Sequence, residues 1–303
     1  MNQTSEPRIL ITGATGRHGG VGVHAVKVLR EKGLPVRALV RVNDERAIAL
    51  RELGAQTVIG DFMNIASLRD AMKGIDRVLF CYPIRDGLLE AAANMAVVAR
   101  ESDVKALLDL SLMVASDTSP SQEAREHWLK SEIFEWAGVN PIHLMGGFFY
   151  ENLDFLAGLD MVERGVMEIP FGKGETKLAW VSGEDIARFS VAALLDPEEY
   201  IGKQHYVTGP AALTMNEVAE IASRVFGKPI RYDGNISIND WAKRLKTHPL
   251  ANARLLQHAM VLAAAFGNAG KSFGEATKAV QETTGREPIS FESHLESHLQ
   301  RWK

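Results

Sequence analysis

The sequence of 303 residues is poor in cysteine and has no long hydrophobic run. Cys81 is the single cysteine, so no disulfide can form within the chain, and a reducing cytoplasm is the compartment we expect. We interpret Cys81 as a buried small apolar residue, because nothing nearby in sequence would lower its pKa. The most apolar late stretch, from Leu255 to Phe266, is too short to span a bilayer, and the first residues show no apolar signal segment. We therefore expect a buried helix there and no membrane as a partner.

The charge imbalance is also slight, with 34 Lys and Arg residues against 38 Asp and Glu residues and a net charge of −4. Because no basic block is present, nucleic acid is not an expected partner. The His, Cys, Asp and Glu residues show no metal-ligand spacing, and no Gly-x-Ser-x-Gly elbow is present for hydrolase chemistry. We therefore predict no metal site.

The Tyr-x-x-x-Lys pair, through which many short-chain dehydrogenases pass a proton to or from a carbinol oxygen, is missing as well. The residues four positions after the five tyrosines are Asp86, Asp154, Gln204, Pro210 and Ile236. The helix that would carry the pair reads Glu126-His-Trp-Leu-Lys130 instead. His127 is a candidate proton donor, although we expect a solvent-facing histidine there and a surface lysine at Lys130. The sequence therefore leaves the catalytic residue unassigned.

What is present begins with a strand, a glycine-rich turn and a helix between Arg8 and Gly33. Residues 9–11 form a short apolar run, as expected for a parallel strand that is covered on both faces. Apolar residues then recur at helical spacing from Val21 to Leu29, and Gly33 follows as a helix stop. Such a turn collects backbone N–H groups and the positive end of the helix dipole. Together these bind a dinucleotide pyrophosphate.

The glycine spacing in this turn leaves two alternatives. Counting forward gives Gly13, Gly16 and Gly19, which is the Gly-x-x-Gly-x-x-Gly of short-chain dehydrogenase relatives. Counting back from Gly33 favours Gly22 as the third glycine, because the helix then has its usual length. We prefer Gly22 and keep Gly19 open.

Strands then alternate with helices at short intervals, which indicates right-handed βαβ crossovers and a parallel sheet. Six strands are predicted, at residues 9–11, 35–41, 56–61, 77–82, 106–111 and 141–145. The fold class is therefore α/β, a doubly wound parallel sheet of the Rossmann type with a smaller, mostly helical C-terminal lobe. We place an NAD(P)-binding domain at residues 1–153 and the smaller lobe at residues 154–303, of which 178–209 return to the first domain. Capping boxes are predicted to open helices at Ser182 and Thr214.

Arg41 ends the second strand, where an acidic residue would otherwise hold the ribose hydroxyls of NAD. A guanidinium there can bind the 2′-phosphate of NADP, so NADP(H) is the preferred cofactor. Asp44 and Glu45 are close enough in sequence to compete for Arg41 or to repel the phosphate. Arg17 and His18, inside the glycine turn, are further predicted cofactor contacts, and Arg17 can add positive charge beside a bound phosphate.

The ends of the next three strands supply the other predicted contacts. Asp61 can bond the adenine amino group while Phe62 packs on the ring. Tyr82 and Pro83 end the fourth strand beside the path of the cofactor. Ser111 ends the fifth strand, where its hydroxyl can orient a substrate oxygen.

Several segments, taken in order, resemble the NmrA-like family of atypical short-chain dehydrogenase relatives, and the likeness covers nearly the whole chain. They are Thr12-Gly-Ala-Thr-Gly16, Arg41, Gly60-Asp61, Phe149-Tyr-Glu-Asn152, Val181-Ser-Gly-Glu-Asp185-Ile-Ala, Tyr206-Val-Thr-Gly-Pro210 and Thr284-Gly-Arg-Glu-Pro288. The resemblance implies contacts to the pyrophosphate and the 2′-phosphate from Gly13, Thr15, Gly16, Gly22 and Arg41. It implies adenine contacts from Asp61 and Phe62, and contacts at the nicotinamide end from Tyr150 and Asn152.

The same resemblance implies one of two functions, since some members of the family are NADPH-dependent reductases of quinones or dyes and others sense NADP(H) without catalysis. Our first hypothesis is an oxidoreductase that passes hydride from NADPH to a small quinone-like or other conjugated acceptor, which needs no strong acid. The alternative is a non-catalytic NADP(H)-sensing regulatory protein. Reductase-like members often have a lysine where Glu132 stands, and this departure argues against a proton relay. A sugar-nucleotide epimerase fits less well without the tyrosine pair, and a homodimer is also considered.

Overall fold

The structure, a computed structural model, describes residues 8–16, 19–268 and 272–302. Its strands, numbered along the chain, are β1 (Ile9–Ile11), β2 (Val36–Val40), β3 (Gln56–Ile59), β4 (Arg77–Phe80), β5 (Ala106–Leu112), β6 (Pro141–Gly146), β7 (Phe148–Phe149), β8 (Val166–Glu168), β9 (Leu178–Val181), β10 (Gln204–Val207), β11 (Ala212–Leu213) and β12 (Arg231–Asp233). Seven of them form one parallel sheet in the order β3-β2-β1-β4-β5-β6-β10. The order reverses between β1 and β4, and in sheets of this kind ligands bind there, outside the carboxyl ends of the strands.

Several helices begin where the local sequence supplies a side-chain cap. Asn64 and Ser121, for example, accept backbone N–H groups three residues further on. The helices are α1 (Val21–Glu31), α2 (Glu45–Glu52), α3 (Ile65–Met72), α4 (Leu88–Glu101), α5 (Gln122–Ala137), α6 (Asn152–Ala157), α7 (Met161–Arg164), α8 (Gly183–Leu195), α9 (Met215–Phe226), α10 (Ile238–Leu245), α11 (Ala253–Asn268), α12 (Ala279–Thr284) and α13 (Phe291–Ser297), followed by a 3₁₀ turn at Leu299–Trp302.

Both faces of the main sheet are covered by helices. Ile9 and Ile11 pack with α1 and α8 on one face, and Leu10 packs with α3 and α4 on the other. Successive side chains of a strand point to opposite faces, so all three are completely buried. This is why β1 reads as an uninterrupted apolar run. The predicted α/β class, with a doubly wound parallel sheet and a largely helical C-terminal region, is confirmed.

The second half of the chain returns to the main sheet once and also builds short strands of its own. β10 pairs with β6, which places Gln204–Val207 in the main sheet. β9 joins β7 and β11 in a three-stranded sheet, and β8 pairs with β12. The sequence analysis did not predict these five short strands, because each is too short to show a period of two. The domain boundary placed between residues 153 and 154 falls inside α6 and stays a prediction.

A second apolar core, rich in aromatic side chains, joins the short strands to the C-terminal helices. Trp180 of β9 and Trp241 of α10 are fully buried in it. The Nε1–H of Trp241 donates to the carbonyl oxygen of Leu156 at 2.9 Å. The one polar group of this indole therefore keeps a hydrogen bond although it is buried. This core closes over the carboxyl edge of the main sheet.

The late apolar stretch forms α11, and the predicted buried helix is confirmed. Leu255, Ala259, Ala263 and Phe266 are buried along one side of it, at the spacing that one helical face requires. None of the helices in the described ranges is long and apolar enough to cross a membrane.

The two predicted capping boxes differ in outcome. At α9 the box is complete, because the Thr214 hydroxyl and the Glu217 carboxylate each accept the other residue's backbone N–H. At α8 only half of the box forms. Ser182 accepts the N–H of Asp185, but the Asp185 carboxylate accepts the backbone N–H of Ile289 at 2.7 Å. A distant backbone donor, which the local sequence does not reveal, replaces the reciprocal bond.

Candidate cofactor and acceptor site

The glycine-rich turn brings β1 and α1 into direct backbone contact. A Cβ atom on Gly22, the second residue of α1, would lie 2.6 Å from the Cα atom of Ala14. Gly13 adopts φ +66°, and a Cβ atom there would lie 3.0 Å from the carbonyl oxygen of Cys81. Gly22 therefore fills the position where a third motif glycine permits close helix–strand packing, which favours it over Gly19. The bare backbone of this turn fits a diphosphate, because side chains would fill the cradle.

Two predicted contacts in this turn, Arg17 and His18, lie outside the described residues and stay predictions. Gly19, directly after them, adopts φ +66° and lies against α8, where a Cβ atom on Gly183 would meet its carbonyl oxygen at 1.6 Å. Gly19 is thus in tight contact with the first residue of the helix that returns from the second half of the chain.

A cavity of about 880 Å³ starts at this turn and crosses the carboxyl ends of β1, β2, β4, β5 and β6. It ends among the aromatic side chains of the second core. Most of the residues predicted from the sequence line it, namely Gly13, Thr15, Gly16, Gly22, Arg41, Phe62, Tyr82, Pro83, Ser111, His127 and Asn152. The fold therefore brings together groups that are spread over 140 residues of sequence.

Two arginines lie at the outer end of the cavity. Arg41 is exposed, and no ion pair or hydrogen bond engages it within the described parts of the chain. Asp44, a predicted competitor, caps α2 and pairs with Arg46 at 2.5 Å instead. Arg46 also lines the cavity and donates to the carbonyl oxygen of Thr15 at 3.0 Å. The sequence analysis missed Arg46, although its place in the first turn of α2, beside Arg41, was a usable signal.

At the predicted adenine end, Phe62 lines the cavity and Asp61 does not. Phe62 lines the cavity and makes edge-to-face contacts with Phe80 and Tyr82, at centroid distances of 5.3 and 5.5 Å. Asp61 is not among the residues that line the cavity, and its Oδ1 accepts the backbone N–H of Met63 at 2.9 Å. The structure thus gives Asp61 the role of a turn residue, and its predicted bond to adenine has no support from the geometry.

Tyr150 also lies away from the cavity. Its hydroxyl donates to the carbonyl oxygen of Ile289 at 3.1 Å, and its ring packs between Trp180 and Phe291. Burial raises the pKa of the Tyr150 phenol above its ordinary value. Tyr150, directly after β7, belongs to the second core, whereas Asn152 two residues later lines the cavity.

The expectation that His127 and Lys130 face solvent is wrong. His127 is 4% exposed, and Lys130 is completely buried. The Lys130 ammonium contacts Oδ1 of Asp109 at 2.5 Å, the carbonyl oxygen of Leu110 at 2.7 Å and Nδ1 of His127 at 3.1 Å. All three of its N–H groups thus have partners. Local sequence could not show this, because the anion that balances Lys130 lies on β5 and not on its own helix.

This arrangement fixes the state of His127. Its Nδ1 accepts from Lys130 and lies 3.4 Å from the hydroxyl of Ser111, and its Nε2 lies 3.2 Å from Oε1 of Glu123. Burial, together with the charge on Lys130, lowers the pKa of His127 well below its ordinary value. His127 is therefore a neutral imidazole and a poor acid.

Cys81 is half-buried and lines the cavity beside Gly13. Burial raises the pKa of its thiol to about 11. The thiol therefore stays protonated at neutral pH. Cys81 is less buried than we expected, because it lines the cavity. Within the described residues, no group of three or more His, Cys, Asp or Glu side chains could hold a metal ion.

Glu123 should make the stability of the protein depend on pH. Glu123 is completely buried beside His127, and burial raises its pKa from 4.5 to about 7, although Arg254, 3.9 Å away, opposes the shift. Between these two pH values the native state holds a proton that the unfolded chain releases, so stability falls as pH rises through this window. For the wild type we expect Glu123 to lower the free energy of unfolding by about 3 kcal/mol as pH rises through this window. Glu123→Gln should lack this decrease, because glutamine does not titrate.

Urea unfolding of the wild type and of Glu123→Gln, at several pH values between 4 and 8, measures this difference. Burial also raises the pKa of Glu151 to about 7, but that carboxyl is present in both proteins and cancels. Parallel stability curves for the two proteins would show that Glu123 keeps an ordinary pKa.

Comparison with known proteins finds the NmrA-like family and several NAD(P)H-dependent reductases. The sequence profile of the NmrA-like family matches residues 5–295. An NAD(P)H azoreductase of Xenophilus azovorans is 33% identical over 226 residues, which covers 74% of this chain and 76% of that protein. The structure of an NADPH-dependent quinone oxidoreductase of Escherichia coli, complexed with NADPH, is 25% identical and has a TM-score of 0.76, covering 96% of this chain and 99% of that one. A Citrobacter triphenylmethane reductase complexed with NADP(H) shares the fold, with a TM-score of 0.79 at 21% identity, and covers 94% and 98%.

Proposed function

This chain belongs to the NmrA-like family, and on that premise we propose that it is an NADPH-dependent reductase of quinone-like or other conjugated acceptors. The observation that carries the proposal is one continuous cavity that joins the glycine-rich turn to an apolar pocket. The similarity of this chain to an NAD(P)H azoreductase and to an NADPH-dependent quinone oxidoreductase supports the reaction class.

The residues at the outer end of the cavity fit the phosphates of the cofactor. The backbone of the glycine turn would hold the pyrophosphate, since Gly13 and Gly22 keep the cradle free of side chains. Arg41 and Arg46 would hold the 2′-phosphate, which accepts charge-assisted hydrogen bonds from a guanidinium. Phe62 would pack beside adenine.

The residues at the inner end fit a planar, largely apolar acceptor. Phe148, Phe171, Phe266 and Phe273 line this part of the cavity. The carboxamide of Asn152 lines it as well and would lie at the nicotinamide end. Aromatic walls of this kind orient a flat ring and exclude water from it.

Hydride transfer from NADPH to a quinone would need little acid catalysis from the protein. NADPH, when bound, supplies the hydride. The Ser111 hydroxyl lines the cavity, and it can donate its proton to an acceptor oxygen because Nδ1 of neutral His127 already accepts from Lys130. A quinone that gains a hydride spreads the negative charge over its ring and can take its proton from water. Orientation and exclusion of water would then account for most of the rate.

Purified protein mixed with NADPH and a set of para-quinones should oxidise NADPH faster than the same mixture without protein. A variant that fills the inner end, Ala259→Trp, should abolish this oxidation and keep the thermal stabilisation by NADPH, because Ala259 lines the cavity from α11 and not from the glycine turn. Absence of oxidation by the wild type would contradict the proposal. Strong stabilisation by NADPH without oxidation by any acceptor would instead favour an NADP(H)-sensing protein.

A further inference from the structure

His258 is a buried imidazole on α11 with no part in the proposed reaction so far. It is 5% exposed and lines the inner end of the cavity. It lies close enough to His127 for a charge on it to lower the pKa of that residue. The cavity wall around it on the same helix is apolar and is formed by Leu255, Ala259 and Leu262. A polar group at this depth in an apolar wall calls for a partner.

One ring nitrogen of His258 is fixed by Ser121. The hydroxyl oxygen of Ser121 lies 2.7 Å from Nδ1 of His258 and accepts the backbone N–H of Ala124 at the start of α5. Among the residues that the structure describes, this hydroxyl has no other partner for its own proton. The Ser121 hydroxyl therefore donates to Nδ1, and the proton of the neutral ring sits on Nε2. Burial lowers the pKa of His258 to about 4, so the ring is neutral at physiological pH.

The Nε2–H group of His258 is left without a hydrogen-bond partner in the described part of the chain. Asn252 and Tyr206, two other polar residues that line the cavity, already have partners. Asn252 donates to the carbonyl oxygen of Ile84 at 2.9 Å, and the Tyr206 hydroxyl contacts Gln204. An unpaired donor in an apolar wall gains free energy when a ligand oxygen reaches it.

We propose that His258 binds the carbonyl oxygen of the acceptor through its Nε2–H and thereby selects conjugated carbonyl compounds over hydrocarbons of the same shape. This inference rests on the proposed function, because it names a chemical feature of the same acceptor. The role of His258 is to bind and orient, and its proton stays on Nε2. A neutral donor aimed at an oxygen that gains negative charge also stabilises the product.

Fluorenone and fluorene test the selection, since they differ in a carbonyl group in place of a methylene group. Binding of each to protein saturated with NADP⁺ is measured by calorimetry, so that no hydride is available. We expect the wild type to prefer fluorenone roughly tenfold, as one buried hydrogen bond allows. His258→Phe should bind both ligands equally, and His258→Gln, which keeps an N–H donor, should retain part of the preference.

His205→Phe is the matched control, because His205 lies outside the cavity and packs against Phe189 and Tyr200. It should keep the full preference. A nitrogen-resolved NMR spectrum of wild-type protein with labelled histidine checks the tautomer even if the variants do not fold.

A proton on Nδ1 of His258, or equal wild-type affinity for fluorenone and fluorene, would overturn the inference. A preference for fluorenone in a protein that reduces no quinone would uphold it and contradict only the proposed function.

Discussion

Replacing Arg41 with alanine is expected to remove most of the advantage of NADPH over NADH and to leave the response to NADH unchanged. Arg41 lines the outer end of the cavity and is exposed, so its guanidinium is available to a phosphate. Hydrogen bonds to charged groups contribute about 1.5–3 kcal/mol, so NADPH affinity should fall by roughly tenfold to a hundredfold. Thermal-shift titrations with both nucleotides measure the loss, because ligands that bind only the native state stabilise it by mass action.

Arg51→Ala is the matched control for this experiment. Arg51 lies on the same helix as Arg46 but donates to the Thr57 hydroxyl at 2.9 Å and does not line the cavity. Its removal should change neither nucleotide response. If Arg41→Ala kept the full preference for NADPH, the 2′-phosphate would have to bind elsewhere, and Arg46 would be the next residue to replace.

Replacing Lys130 with methionine is expected to destabilise the protein by about 3–5 kcal/mol, the usual cost of breaking one side of a buried ion pair. Lys130 and Asp109 are both completely buried and lie 2.5 Å apart. Burial would raise the pKa of Asp109, but Lys130 and His143 outweigh it and hold that pKa at about 2. Without the ammonium, Asp109 would be an anion in an apolar interior with too few partners.

Chemical unfolding of Lys130→Met and of the double variant Asp109→Asn/Lys130→Met measures this effect. The double variant should recover much of the stability, because no uncompensated charge remains. Lys105→Met is the exposed counterpart, since Lys105 pairs with Asp103 at 2.7 Å but is mostly in solvent. It should lose less than about 1 kcal/mol. A similarly small loss for Lys130→Met would mean that Lys130 is not buried as a charge.

The main sheet could be predicted because its strands carry their signal locally. Residues 9–11 form an apolar run between a charged residue and a glycine turn, and the turn leads directly into a helical period. The C-terminal strands carry no comparable signal. β7 and β11 have two residues each, and they are strands only because β9 lies between them with its own hydrogen bonds. Pairing partners of this kind are far apart in sequence.

The residues of the candidate site also fall into those that the local sequence could predict and those that it could not. Residues at the carboxyl ends of β1, β2, β4 and β5, such as Gly13, Arg41, Tyr82 and Ser111, line one cavity, because the ends of parallel strands meet at one edge. Their contacts to a cofactor stay predictions. Tyr150, whose role came from family resemblance alone, and Asp61, which was predicted from the end of the third strand and from the resemblance, do not line it. His258 could not have been found, since its place depends on how α11 packs against α5.

The sequence by itself determined the strands and helices of the first half, the glycine turn and the arginine at its outer end, because a strand, a turn and a cap depend on neighbouring residues. Only the tertiary structure decided which polar groups are buried and what balances them. Lys130 meets Asp109, and His258 meets Ser121, across 21 and 137 positions of sequence. Burial makes charge and proton position depend on such distant partners, and no local pattern records them.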